Sequence, residues 1–108
     1  MYRDLREFVQ ELEKIGELEI VEGAHWHSEI GALANLVAAQ KGPCLLFDNI
    51  QDYPKGYRVI TNSFNNSRTM SVALGFQPID TDLGLVAEIR KHLKEWRNNP
   101  IPPKFVKT

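Results

Sequence analysis

The 108-residue sequence predicts an α/β fold: a small mixed sheet of at least three strands, with a parallel β-α-β unit, flanked by helices. Three observations lead there. Apolar residues recur at helical spacing over residues 4–15 and 82–97, with charges on the opposite side of each stripe. Cys44-Leu45-Leu46-Phe47 is a short continuous apolar run, as expected of a central strand covered on both faces. A helical pattern separates that run from an earlier strand pattern. Strand, helix and strand in this order imply a right-handed crossover with the two strands parallel.

The first helix is expected over residues 4–15, with Leu5, Phe8, Val9, Leu12 and Ile15 as its stripe. Asp4 followed by Glu7 resembles a capping box, and Gly16 stands where a helix terminates. Leu18, Ile20 and Val21 then alternate with Glu17, Glu19 and Glu22, the mark of a half-buried strand over 17–22. Ser28 is placed to cap a second helix carrying Ile30, Leu33, Ala34, Val37 and Ala38, closed by Gly42-Pro43. Its small residues Gly31, Ala32 and Ala34 would let it lie close against a sheet. The central strand spans 44–48. After the turn at 52–56, residues 57–61 read as a third strand. Asn65-Asn66-Ser67 caps a short helix through Leu74, ended by Gly75. Thr81-Asp82 opens the last helix, whose stripe is Leu85, Val86, Ile89, Leu93 and Trp96, with Lys91 and Glu95 paired on its polar side.

Composition narrows the function classes. Thirteen basic and 14 acidic residues leave a net charge of -1, against the basic footprint expected of a nucleic-acid binder. No apolar run approaches the ~18 residues of a membrane span, and the opening residues lack the apolar stretch of a signal peptide. One cysteine, Cys44, cannot build an internal disulfide framework. A cytoplasmic protein without a nucleic-acid or membrane partner is the expectation.

Chemistry-bearing residues are few, and each has a structural rival. His25 and His27, if on a strand, would point to one side and could reach a metal, with Glu22 and Glu29 as helpers. Two ligands without a Cys or His cluster are a weak zinc signal. A loop with Trp26 packed on the domain and both imidazoles in water is therefore preferred. Ser67-Arg68-Thr69 at a helix start offers hydroxyls and a cation to a phosphate. No glycine-rich approach precedes it, so a plain cap with a solvated arginine is expected. Cys44, in an apolar run, reads as a buried inert thiol, and His92 as a solvated histidine on a charged face. No residue is assigned a catalytic, cofactor-binding or metal-binding role.

The order of segments carries more than any one residue. Asp4-Leu5-Arg6-Glu7-Phe8 through Gly16-Glu17-Leu18 resembles the opening of UbiD-like decarboxylases, and Glu29-Ile30-Gly31-Ala32-Leu33 resembles that family's second helix. Gly42 through Ile50 is similar to its Gly-Pro-led apolar strand. Tyr53-Pro54 with Arg58-Val59-Ile60-Thr61-Asn62, Ser67-Arg68 with Ala73-Leu74-Gly75, and Pro100-Ile101-Pro102-Pro103-Lys104 continue the match. The wording around residues 23–26 and 53–57 resembles members acting on phenolic or other aromatic acids. His27 is a departure, since the family often has an acid or asparagine there. The resemblance implies a parent enzyme that reversibly decarboxylates an aromatic or unsaturated acid, using prenylated flavin mononucleotide (FMN) with a divalent metal and potassium. Its catalytic set lies in a central domain beyond the matched segments, so the resemblance assigns no catalytic residue here.

Residues 1–97 are accordingly read as one α/β domain and 98–108 as a proline-rich linker to an absent central domain. Pro100, Pro102 and Pro103 exclude helix, and Phe105-Val106 supply strand-type side chains with nothing after them to cover them. The tail is expected to stay disordered or to lie on another copy as an added strand. Two functions remain open: a non-catalytic N-terminal domain working with the other domains of a homo-oligomeric decarboxylase, or a free-standing small binding protein with the same fold.

Overall fold

In the computed structural model, which describes residues 2–108, the first helix, α1, runs Leu5–Lys14. Asp4 caps it, its Oδ1 accepting the Glu7 N–H at 3.0 Å. The reciprocal half of the expected capping box does not form. The Glu7 carboxylate turns instead to Arg3, accepting from its backbone N–H and its Nε at 2.7 Å each. At the other end Gly16 takes φ 74°, which lets the Glu17 N–H reach the Leu12 carbonyl at 2.9 Å. Glycine enters that left-handed conformation without a Cβ clash.

The remaining elements are β1 (Leu18–Glu22), α2 (Glu29–Ala39), β2 (Cys44–Asp48), β3 (Val59–Thr61), α3 (Ser67–Ala73) and α4 (Asp82–Asn98). The sheet order is β1-β2-β3. Strands β1 and β2 are parallel, Leu18 beside Cys44 through Glu22 beside Asp48, as the crossover requires. Strand β3 is antiparallel to β2 and shorter than expected. The ladder runs from Leu45–Thr61 to Phe47–Val59, leaving Tyr57 and Arg58 past its end.

Strand alternation sends the four buried residues of β2 to opposite sides. Cys44 joins Phe8, Leu12 and Val72 in a core between α1, α3 and one sheet face, with Leu18 and Ile60 against it. Leu45 and Phe47 join Ala24 and Ile50 on the other face, where Ile30, Leu33 and Val37 of α2 cover them. The result is three layers with β2 at the centre, which is why β2 reads as an unbroken apolar run.

Helix α2 differs from expectation at both ends and on its outer side. Ser28 stands at the N-cap with φ 65° and its side chain makes no capping bond. Glu29 reaches back instead, accepting the His25 N–H at 2.8 Å. At the C-terminus the left-handed residue is Lys41, φ 51°, and not Gly42. Gly42 is needed for closeness: a Cβ there would lie 2.8 Å from Val37 Cγ1. The small residues Gly31 and Ala32 face away from the sheet, which larger residues contact.

Helix α4 buries no residue. Its cap is Thr81, whose Oγ1 accepts the Gly84 N–H at 3.0 Å. Val86, Leu93 and Trp96 of its stripe remain substantially exposed. The radius of gyration is 16.7 Å, against about 13 Å for a compact chain of this size. The long helix and the extended tail account for the excess. On its polar side Lys91 pairs with Glu88 at 3.4 Å, one turn before it, and not with Glu95.

Candidate functional site

The start of α3 gathers more polar side chains than any other place where the sequence put chemistry. Asn66 caps α3 with a complete box: its side chain accepts the Thr69 N–H at 2.9 Å, and Thr69 Oγ1 accepts the Asn66 N–H at 3.1 Å. The Asn66 amide also donates to Glu17 Oε2 at 3.0 Å, and the Asn65 amide to the Gly42 carbonyl at 2.7 Å. Together the two asparagines tie the α2–β2 turn to α3 and to the end of α1.

Arg68 is not the solvated arginine expected. Its Nε donates to Glu17 Oε1 at 3.1 Å, Nη1 to Asp80 Oδ1 at 2.6 Å, and Nη2 to the Ile15 carbonyl at 3.1 Å. The Asp80 bond, with Glu17 beside it, holds the guanidinium pKa above its ordinary value. Ser67 donates to Asp82, and the Asp82 carboxyl is held below its ordinary range by that bond and by Lys41. Thr69 and Ser71 are fully buried. These hydroxyls and the cation are spent on internal partners, and the shallow hollow that Ser67, Arg68 and Lys41 line also presents Glu17, Asp80 and Asp82. Three carboxylates beside two cations repel a phosphate. The residues present do not fit a flavin phosphate here.

His25 and His27 do not form a strand pair. His25 makes a single bridge with Gln51, and residues 26–28 are a turn, so the alternation that would aim both imidazoles one way does not apply. His25 Nδ1 accepts the His27 N–H at 3.0 Å, and His25 Nε2 lies 3.6 Å from Asp52. Trp26 is more than half exposed rather than packed on the domain. Among the described residues, no three His, Cys, Asp or Glu side chains gather where they could hold a metal ion. Nor, then, do they fit a divalent metal.

Cys44 is fully buried, its Sγ 3.3 Å from the Thr61 carbonyl, and burial pushes its pKa up. A neutral, enclosed thiol is a poor nucleophile. His92 departs from the solvated reading. Its ring stacks on Phe76 at 4.8 Å and on Trp96 at 5.8 Å, with Nε2 3.2 Å from Glu88. That bond holds the Glu88 carboxyl below its ordinary range. The ladder anchors the middle of α4 to the turn after α3. Sequence spacing could not show it, because Phe76 lies outside every periodic stripe.

What the domain offers outward is apolar surface. Leu5 and Val9 of α1, Leu18 and Ile20 of β1, Leu46 and Ile60 line an open groove of about 490 Å³, with Arg6, Glu13 and Arg58 at its rim. Ile20, expected on a buried stripe, is 52% exposed. Helix α1 covers only the Cys44 end of this face. Among the described residues, no helix is long and apolar enough to cross a membrane.

The comparisons with known proteins agree with a domain of this kind. The family model for the 3-octaprenyl-4-hydroxybenzoate carboxy-lyase N-terminal domain matches residues 9–93. Vanillic acid decarboxylase of Sedimentibacter hydroxybenzoicus in open form superposes with a TM-score of 0.80 at 28% identity, over 97% of this chain and 22% of that chain. A second open-form structure gives 0.81 over 98%, and the closed form 0.74 over 99%, at the same identity and the same 22%. The chain thus spans about a fifth of the length of the solved enzymes it matches. With a family match over most of its length and this superposition, the chain belongs to the UbiD-like decarboxylase family, as its N-terminal domain.

Proposed function

We propose that this chain is the non-catalytic N-terminal domain of a carboxy-lyase that reversibly decarboxylates an aromatic or unsaturated acid. The observation that carries the reading is the coverage: 98% of this chain superposes on only 22% of a vanillic acid decarboxylase. The parent binds prenylated FMN with a divalent metal and potassium outside this domain, acts in the cytoplasm and is a homo-oligomer. Residues 99–108, past the end of α4 and stiffened by proline, connect to a following domain. The side chains support the division of labour, since the polar cluster at α3 is satisfied internally and the floor of the groove is apolar, formed by Leu5, Val9, Leu18, Ile20, Leu46 and Ile60. The domain's part is to cover and shape the enzyme, and the apolar groove and the open stripe of α4 are the surfaces suited to it.

Two measurements test this. Titrated with FMN, the chain alone should leave flavin fluorescence unchanged and release no carbon dioxide from vanillic acid. Saturable micromolar quenching would overturn the non-catalytic assignment. A chimera in which this chain replaces the matched segment of the vanillic acid decarboxylase should fold and retain decarboxylation. A chimera that folds but is inactive after cofactor loading would count against the parent activity.

A further inference from the structure

We propose that the outward face of α4 is the docking surface for the domain that follows in the same polypeptide. That domain meets it with apolar side chains and with carboxylates placed for Arg90, Lys94 and Arg97. The proposal rests on the reading of this chain as one domain of a longer enzyme. Leu83, Val86, Arg90, Leu93, Lys94 and Arg97 recur at spacings of three and four, so they share one side of the helix. All six are exposed. The neighbouring side is the one this domain uses, with Leu85 and Ile89 half-buried and His92 stacked on Phe76.

The charges of α4 are sorted in the same way. Its carboxylates are occupied within the domain. Asp82 accepts from Ser67 and lies 3.6 Å from Lys41, Glu88 holds His92 and Lys91, and Glu95 lies 3.8 Å from the His92 ring. Among the described residues, Arg90, Lys94 and Arg97 have no carboxylate partner and no side-chain hydrogen bond. A cation in the last turn suits the negative end of the helix dipole, which accounts for Arg97. Arg90 stands two turns before that end, beyond its reach, and one turn from Lys94 it adds like-charge repulsion to the helix. A carboxylate from outside removes that repulsion.

Charge complementarity and the course of the chain select the occupant. Residues 99–108 leave directly from the end of α4. A segment of that length spans at most about 36 Å, so the domain it leads to is kept within reach of this face. The chain covers only 22% of a solved enzyme it matches, and the remainder of such an enzyme supplies the partner surface. Apolar side chains interleaved with arginine are the anatomy of a protein–protein contact, where charges pair across the interface. A helix that lies on a membrane keeps an unbroken apolar face apart from its cations, whereas here Arg90 separates Val86 from Leu93.

Carbodiimide coupling of the full-length polypeptide tests the proposal, because it joins a lysine amine to a carboxylate only where the two are in contact. Mass spectrometry should find Lys94 joined to an Asp or Glu beyond residue 108 of the same polypeptide, and mixing isotope-labelled with unlabelled protein identifies links between copies. Charge reversal (R90E with R97E) should lower the yield of the link by about tenfold or more. The wild-type link needs no variant, so the test does not depend on how the substitutions fold. Absence of a Lys94 link overturns the proposal, as does a link to a carboxylate within residues 1–108. A link found only between two copies would place a second copy on α4 and overturn it too. Binding to vesicles of phosphatidylserine and phosphatidylcholine that R90E with R97E abolishes would assign the face to a membrane, with the same consequence. The readout needs neither cofactor nor turnover. A protein that gives the link yet releases no carbon dioxide from aromatic acids fails the decarboxylase reading alone, and an active enzyme without the link fails this proposal alone.

Discussion

Helices α1 and α4 are written in the same local code. Each has an oxygen-bearing N-cap that accepts an N3 backbone N–H, a carboxylate in its first turn, a basic residue in its last and an apolar stripe along one side. Their fates differ. Helix α1 buries Phe8 and Leu12 against β2 and α3, whereas α4 buries nothing and rests on a histidine–aromatic ladder in its second half. Local code decides that a segment is helical. Whether its stripe is buried depends on how much apolar surface is in reach, and on α4 Leu85 and Ile89 are half-buried while Val86, Leu93 and Trp96 stay exposed. Most helical stability comes from such packing. The region up to Gly75 should therefore carry the stability, and α4 with the tail should be nearly independent of it.

The sharpest test of that contrast is in the core. Phe47 is fully buried between the sheet and α2, and Phe47→Ala should cost about 3–5 kcal/mol in denaturant unfolding, enough to unfold much of the population of a small domain. A loss below about 1 kcal/mol would show that this layer is loosely packed. Next comes the Arg68 clamp, which joins α3 to Glu17, to Asp80 and to the end of α1. Arg68→Ala should cost about 1–2 kcal/mol, discounted for its partial exposure. Insensitivity to the substitution would show that the asparagines alone hold that junction.

A smaller effect is linked to pH. The Asp82 carboxyl is held below its ordinary range by the Ser67 hydroxyl first and by Lys41 second. Its unfolded counterpart therefore binds a proton more readily. The stabilisation is present above the ordinary carboxylate range and is lost as pH falls through the lowered folded value. Ser67→Ala should accordingly weaken the fold more near pH 6 than near pH 3. An equal loss at both would exclude the carboxylate as the partner that matters. The smallest effects are expected outside the packed region. Leu83, 83% exposed on α4, should tolerate Leu83→Ala within about 0.5 kcal/mol, and deletion of residues 100–108 should leave the thermal midpoint unchanged. A loss of several degrees on that deletion would mean the tail belongs to the domain's own core.

Much of this could be read from the chain. The parallel pair β1–β2 followed from a helix lying between two strand patterns, and the central place of β2 from four apolar residues in a row. The end of α1 followed from Gly16. Where reading failed, the deciding partner lay far along the sequence. The solvated arginine became a clamp because Glu17 lies 51 residues away, and the solvated histidine became a stacked one because the chain returns Phe76 to α4. His25 and His27 looked like a pair only on the assumption of a continuing strand, which the turn at 26–28 breaks.

The sequence by itself determined the elements, their order and the parallel crossover, because periodicity, caps and turn residues act within a few positions of one another. Only the tertiary structure decided which apolar stripes are covered, which polar groups are satisfied and which edge of the sheet is open. Those outcomes depend on the meeting of residues separated by tens of positions, and burial and hydrogen bonding are properties of both partners rather than of either one.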